Sequence, residues 1–235
     1  ETRRSFLLRL SDGSGWGEAA MPPYYGVADE DMISFWAAVN EGTDPLPDEP
    51  AAIPSWVGED GPSAARNALD LALHDRIGRA RNTPLYALLG LPCPAPLPTS
   101  FTIAIAEPDE MARLAREASR FRVLKIKLGS DDDFARLAAV RRARPDVALR
   151  VDANAGWTPE AAVDLVRRLE QLDVELVEQP VAKHDIAGMG YVQARTSIPV
   201  VADESCQTLA DVEALAAAGV RGSNVKLMKA GGVGP

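Results

Sequence analysis

Residues 123–128 read Val-Leu-Lys-Ile-Lys-Leu, and this hexapeptide decides the fold. Side chains of a strand alternate between its two faces, so Leu124, Ile126 and Leu128 share one face and Lys125 and Lys127 share the other. Stepping outward by about 25 residues repeats the pattern of an apolar run that ends on a polar side chain. The ends fall at Thr102, Lys127, Asp152, Glu178, Asp203 and Lys226, spaced by 25, 25, 26, 25 and 23 residues. One strand and one returning helix consume about that much chain, so the spacing predicts successive βα units of a parallel barrel. Strands are predicted at 99–105, 123–128, 148–153, 174–178, 199–203 and 223–227, with helices at 108–120, 133–143, 159–171, 185–196 and 208–218. The strand runs are rich in Val, Ile and Leu, as strands covered on both sides should be. A closed barrel of this type takes eight such units. Six are visible, so the chain is expected to be cut at its end, and an opening Glu1 rather than Met suggests the same at its start.

The segment before the barrel reads differently. Residues 4–10 and 16–19 flank Asp12-Gly13-Ser14-Gly15, a turn sequence, and predict an antiparallel hairpin. Prolines keep Met21-Pro22-Pro23-Tyr24-Tyr25-Gly26 out of a ladder, so it is expected to be an exposed loop carrying aromatics. Helical spacing covers 29–40 and 62–79, the latter with Ala65, Leu69, Ala72, Leu73 and Ile77 on one face. Pro92, Pro94, Pro96 and Pro98 form a stiff connector. The predicted organisation is therefore an α/β chain with an α+β capping domain at 1–98 and a (β/α)-barrel domain at 99–235.

Composition narrows the partner. The 235 residues carry 25 Lys and Arg against 34 Asp and Glu, a net charge of −9. Nucleic acids and anionic membranes reward clustered basic residues, so neither is the expected partner and a small molecule is. Two cysteines, Cys93 and Cys206, are too few for a disulfide framework or a thiolate metal site and suit a reducing, cytoplasmic setting. No apolar run approaches the roughly 20 residues of a membrane span. The oligomeric state, monomer or homo-oligomer, stays open.

Barrel strands present their functional side chains at their C-terminal ends. Asp152, Glu178 and Asp203 end three adjacent predicted strands, so three carboxylates are expected to meet at one point. An all-oxygen set suits Mg²⁺, or alternatively Mn²⁺, better than Zn²⁺. Asn154, two residues after Asp152, shares its face and supports it. For the last lysine, Lys226 keeps the register of the ladder, whereas Lys229 has the opposite parity and falls where the strand gives way to Gly231-Gly232. Lys127 and Lys226 lie on strands four apart in an eight-stranded barrel, hence on opposite sides of a central ligand. A metal gripping a substrate carboxylate would stabilise the enediolate formed as the α-proton leaves. One lysine then takes that proton and the other delivers one to the far face, inverting the carbon.

These residues resemble the enolase superfamily, its muconate-lactonising subgroup, and within that the dipeptide epimerases. Lys125-Ile126-Lys127 resembles the family's K-x-K, Val151-Asp152-Ala153-Asn154 its D-x-N, and Val177-Glu178-Gln179-Pro180 its E-Q-P. Ala202-Asp203-Glu204-Ser205 resembles A-D-E-S, and Asn224 to Gly232 the last lysine motif. Thr99-Ser100-Phe101-Thr102-Ile103 resembles the T-x-x-T-I of the epimerases' first barrel strand, and Gly17 to Tyr24 their capping loop. The resemblance implies that Lys127 and Lys226 are the acid/base pair and that Asp152, Glu178 and Asp203 bind Mg²⁺. It further implies that Asn154, Gln179 and Glu204 support the metal ligands, and that Lys125, Thr102, Tyr24 and Tyr25 meet a dipeptide substrate. In these epimerases a D-x-D motif after the eighth strand binds the dipeptide ammonium, and that region is expected to lie outside the six visible units. Muconate cycloisomerase, o-succinylbenzoate synthase and N-acylamino-acid racemase share the lysine pair and stay open as alternatives. So does a barrel without catalysis. His74 and His184 lie outside every predicted strand end, which points away from the mandelate-racemase-like members.

Overall fold

The computed structural model describes residues 4–20 and 25–234, and its contacts divide the chain into two units. One comprises residues 1–95 with 225–235, the other residues 96–224.

The first unit opens with an antiparallel hairpin, β1 (Ser5–Arg9) and β2 (Trp16–Ala20), paired from Ser5 opposite Ala20 to Arg9 opposite Trp16. Then come α1 (Asp29–Glu41), α2 (Ile53–Val57), α3 (Ser63–Ala80) and α4 (Leu85–Leu88). The face of α3 predicted to be apolar is buried: Ala65, Leu69, Ala72, Leu73 and Ile77 pack with Leu10, Met32 and Ile53 into the core of this unit. The hairpin lies directly on the α3 backbone. A Cβ on Gly17 would stand 1.8 Å from the Ala68 carbonyl oxygen, so only glycine permits this approach. The short helical pieces at 50–57 and 85–88 were not expected from periodicity. Proline starts the first of them at Pro50, where its missing N–H costs nothing.

The second unit is the parallel sheet predicted from the ladder. Its strands are β3 (Ser100–Ile103), β4 (Val123–Lys127), β5 (Ala148–Asp152), β6 (Val174–Glu178), β7 (Val200–Ala202) and β8 (Gly222–Ser223). Among the described residues these form one six-stranded sheet in sequential order, every neighbouring pair parallel. Between them run α5 (Pro108–Glu117), α6 (Asp133–Ala143), α7 (Pro159–Leu169), α8 (Ile186–Gln193) and α9 (Leu209–Ala217). This is the βα alternation predicted for a (β/α)-barrel. Leu124, Ile126, Leu149, Val151 and Val177 pack outward against Met111, Leu137, Val140, Val163 and Val166 of the helices. At about 25 cal/mol per Å² of apolar surface, this interlayer core supplies most of the unit's stability.

The last predicted strand is shorter than expected. The ladder to β7 ends when the Asn224 N–H donates to the Ala202 carbonyl, the end of β7 itself, and the chain then turns into α10 (Leu227–Ala230). Lys226 is the extended residue capping that helical turn, not a residue inside a strand. A strand can pair only as far as its neighbour extends, and β7 has three residues.

Among the described residues, no helix is long and apolar enough to cross a membrane. Arg144, just past α6, is buried and joins two layers of the second unit. Its guanidinium donates to the carbonyls of Ala115, Ala118 and Phe121 at 3.2, 3.1 and 3.0 Å, closing the C-terminal end of α5, and pairs in a fork with Asp146. Arg144→Ala strands those carbonyls and is expected to cost about 3 kcal/mol. The urea midpoint should fall with an unchanged slope, and an unshifted midpoint would contradict this role.

Candidate active site

Register brings three polar strand ends into one row. Lys127 pairs with Asp152 across β4 and β5, and Asp152 with Glu178 across β5 and β6. Lys125, one pleat earlier on the same face, pairs with Thr102 and Arg150. The Lys127 ammonium donates to Asp152 Oδ2 and Asn154 Oδ1, both at 2.6 Å. The Lys125 ammonium stands 2.8 Å from Asp152 Oδ2 and 2.7 Å from Glu178 Oε2. Asp152 and Glu178 are 1% and 5% exposed, so their charges are withdrawn from water and the two amines balance them. Burial pushes the Glu178 carboxyl above the usual carboxylate range, and the charge of Asp152 adds to this, against the opposing Lys125 and Asn224 contacts. Burial works the other way on Lys125. Its hydrogen bonds to Asp152 and Glu178 outweigh the burial, and its pKa rises above the ordinary lysine value.

Sharp turns follow the row. Asn154, Ala155 and Gln179 have φ of 44°, 61° and 40°, a region that residues other than glycine enter at a cost. The strain brings Asn154 back toward Lys127, while its amide donates to Glu204 Oε1 at 3.0 Å. Gln179 is wholly buried. Its Oε1 accepts the backbone N–H groups of Asp203 and Ser205 at 2.9 and 3.0 Å, and its Nε2 donates to Ser205 Oγ and the Val181 carbonyl.

Asp203 departs from the expected level. Glu178 pairs with Val201, so Asp203 lies one pleat beyond the row, on the same face but past the end of β7. Barrel strands are tilted and staggered, so equal sequence spacing does not mean equal height. Among the described residues, no three His, Cys, Asp or Glu side chains gather closely enough to hold an ion. The donor chemistry nevertheless fits a hard divalent cation. Asp152, Glu178 and Asp203 are all buried carboxylates, and Glu204 Oε2 is buried with no hydrogen-bond partner among the described residues.

The remaining predicted residues fall in both units. Thr102 is exposed on β3, and Tyr25 is half-buried in the first unit, while Tyr24 lies outside the described residues. Lys226 is half-buried and Lys229 is buried, both in the first unit. Asn224 was missed as a site residue, although its carboxamide donates to Glu178 Oε1 at 3.0 Å. Its same-parity spacing from Lys226 was the available signal.

The chain resembles known proteins in sequence and in fold. Residues 109–235 match the family described as Enolase C-terminal domain-like. The chain is 38% identical over 226 residues to the L-Ala-D/L-Glu epimerase of Bacteroides thetaiotaomicron, covering 94% of this chain and 58% of that protein. It is 42% identical over 176 residues to the hydrophobic dipeptide epimerase of Enterococcus faecalis, covering 72% of this chain and 49% of that protein. The chain thus spans about half the length of these curated relatives. The crystal structure of the dipeptide epimerase from Cytophaga hutchinsonii complexed with Mg and the dipeptide D-Ala-L-Val superposes with a TM-score of 0.86 at 27% identity. That superposition covers 97% of this chain and 65% of the other. With its strand order, its lysine and carboxylate row and these likenesses together, the chain belongs to the enolase superfamily, in the mandelate-racemase/muconate-lactonizing subgroup and its dipeptide and amino-acid epimerase family.

Proposed function

We propose that this chain carries the proton-transfer machinery of a Mg²⁺-dependent dipeptide epimerase, which inverts the α-carbon of a dipeptide's C-terminal residue. The observation that carries the reading is the Lys127 ammonium, half-buried at a strand end and aimed by Asp152 and Asn154 from two directions. The likeness to epimerases that act on Ala-Glu and on hydrophobic dipeptides, and to one crystallised with Mg and a dipeptide, supports the substrate class.

Inversion needs two proton carriers and no redox partner. One lysine, as the free amine, takes the α-proton through its Nζ lone pair. The other, as the ammonium, returns a proton to the opposite face of the same carbon, so atoms and charge balance over the cycle. We assign these parts to Lys127 and Lys226, with their order set by which epimer binds. Lys125 lies between Asp152 and Glu178 and offers positive charge to the substrate carboxylate, and Thr102 on the neighbouring strand contacts the peptide. A divalent cation held by Asp152, Glu178 and Asp203 would supply further charge beside that carboxylate, lowering the cost of removing the α-proton. Asn154, Gln179 and Glu204 keep those carboxylates and Lys127 in place.

Two measurements test this reading. In D₂O, Lys127→Ala should lower α-deuterium uptake from one epimer of a dipeptide by at least about 100-fold while leaving much of the uptake from the other. Equal uptake from both epimers would refute the lysine roles, and exchange confined to muconate or succinylbenzoate analogues would refute the dipeptide. Glu178→Gln should weaken Mg²⁺ binding measured by calorimetry and abolish Mg²⁺-stimulated exchange. Unchanged binding and exchange would remove Glu178 from the metal site.

A further inference from the structure

One buried carboxylate beside the lysine row is not used by the reaction described above. Asp133, the first residue of α6, is 3% exposed. An acid at this position ordinarily serves the N–H groups of its own helix or the helix dipole. Asp133 turns the other way. Its Oδ2 accepts the N–H groups of Gly129 and Ser130 at 2.9 and 3.1 Å, from the loop that leaves Lys127. The same oxygen accepts the indole Nε1–H of Trp157 at 2.9 Å, from the loop that leaves Asp152 and Asn154. Its Oδ1 faces the Ser130 N–H at 3.3 Å and the Arg136 guanidinium at 3.5 Å.

The two loops are in van der Waals contact where this carboxylate joins them. A Cβ on Gly156 would stand 2.5 Å from the Gly129 Cα and 2.7 Å from its carbonyl oxygen, so the backbones touch there. The Leu128 N–H donates to the Asp152 carbonyl at 2.9 Å, and the Trp157 N–H to the Pro180 carbonyl at 3.1 Å. Gly129 lies two residues after Lys127, and Gly156 two residues after Asn154. A bond that fixes Gly129 against Trp157 therefore fixes Lys127 against Asn154, and those two side chains meet at 2.6 Å. Both residues of the turn, Asn154 and Ala155, have positive φ, so an external tie is needed to hold it.

We infer that Asp133 and Trp157 are positioning residues for Lys127, acting through the paired loops after β4 and β5. The inference rests on the proton-transfer role proposed for Lys127. Neither residue touches the reacting atoms, and the loss that marks positioning of Lys127 is the one that falls on its epimer alone. That selectivity separates positioning from displacement of Asp152, whose loop carries Trp157, and from general support of the fold, either of which would weaken both directions alike.

The test is deuterium uptake from each dipeptide epimer in D₂O, with Lys127→Ala as the reference. Trp157→Phe removes one N–H and keeps the ring. It should lower uptake from the epimer that Lys127→Ala silences by about 10-fold, with KM within about twofold, and leave uptake from the other epimer within about twofold. Asp133→Asn keeps one acceptor oxygen and should fall between wild type and Asp133→Ala. If Asp133→Ala does not fold, by circular dichroism, Trp157→Phe and Asp133→Asn carry the test alone. Equal losses on both epimers, or no loss, with Lys127→Ala selective, would overturn this inference and leave the lysine assignment standing. A Lys127→Ala protein that exchanges both epimers equally would overturn both.

Discussion

The site depends on the register of three parallel strands. Lys127 opposite Asp152 and Asp152 opposite Glu178 set an ammonium and two carboxylates side by side at the spacing of a β-ladder, about 4.8 Å between strands. Adjacent buried carboxylates repel, and neither has water enough to dissipate its charge. The sequence answers with Lys125 one pleat below, whose ammonium reaches both. A slip of one residue in β4 would turn both lysines toward the helices and bring Leu124, Ile126 and Leu128 inside. The apolar outer face and the charged inner face therefore enforce the same register, and neither could change alone.

Much of this was legible because it follows from two fixed lengths. A strand alternates with period two and a βα unit spans a nearly constant number of residues, so Lys125 and Lys127, the carboxylates of Asp152 and Glu178 and most element bounds could be read from spacing, whereas Lys226 was expected inside a strand and caps a helical turn. Asp203 marks where that reasoning stops. Its place in the ladder of spacings is correct, yet strand stagger carries it past the row, and stagger is a property of the sheet, not of any one segment. The end of β8 is likewise set by the length of β7. Asp133 was invisible for another reason. The spacing places it only as the first residue of a helix at 133–143, after Asp131 and Asp132, and its partner Trp157 lies 24 residues away on another loop. Nothing local distinguishes it from its neighbours.

Asp203 raises the question of what holds a ligand candidate that its own strand no longer supports. Gln179 provides the answer. Its backbone N–H donates to the Val201 carbonyl and its carbonyl accepts from Ala155, so the residue ties β7 to the turn after β5. Its side chain then reaches past the end of β7 to take the Asp203 and Ser205 N–H groups, while Ser205 Oγ, accepting from Nε2, donates to the Lys183 carbonyl. The positive φ of Gln179 is the cost of facing both ways at once.

An amide suits this joint and a carboxylate does not. Glutamate would keep an acceptor for the two N–H groups but lose the donors to Val181 and Ser205, leaving a buried carbonyl and hydroxyl facing a lone pair. It would also place another negative charge next to Glu178, whose carboxyl is already pushed up by burial and by Asp152. The alternation of Glu178, Gln179 and Asp203 thus has an electrostatic basis. Two charged groups are held in the site by a neutral residue that can both donate and accept. An acid followed by an amide at the end of β6, with the next acid past the end of β7, follows from the limited negative charge that neighbouring buried strand ends can carry.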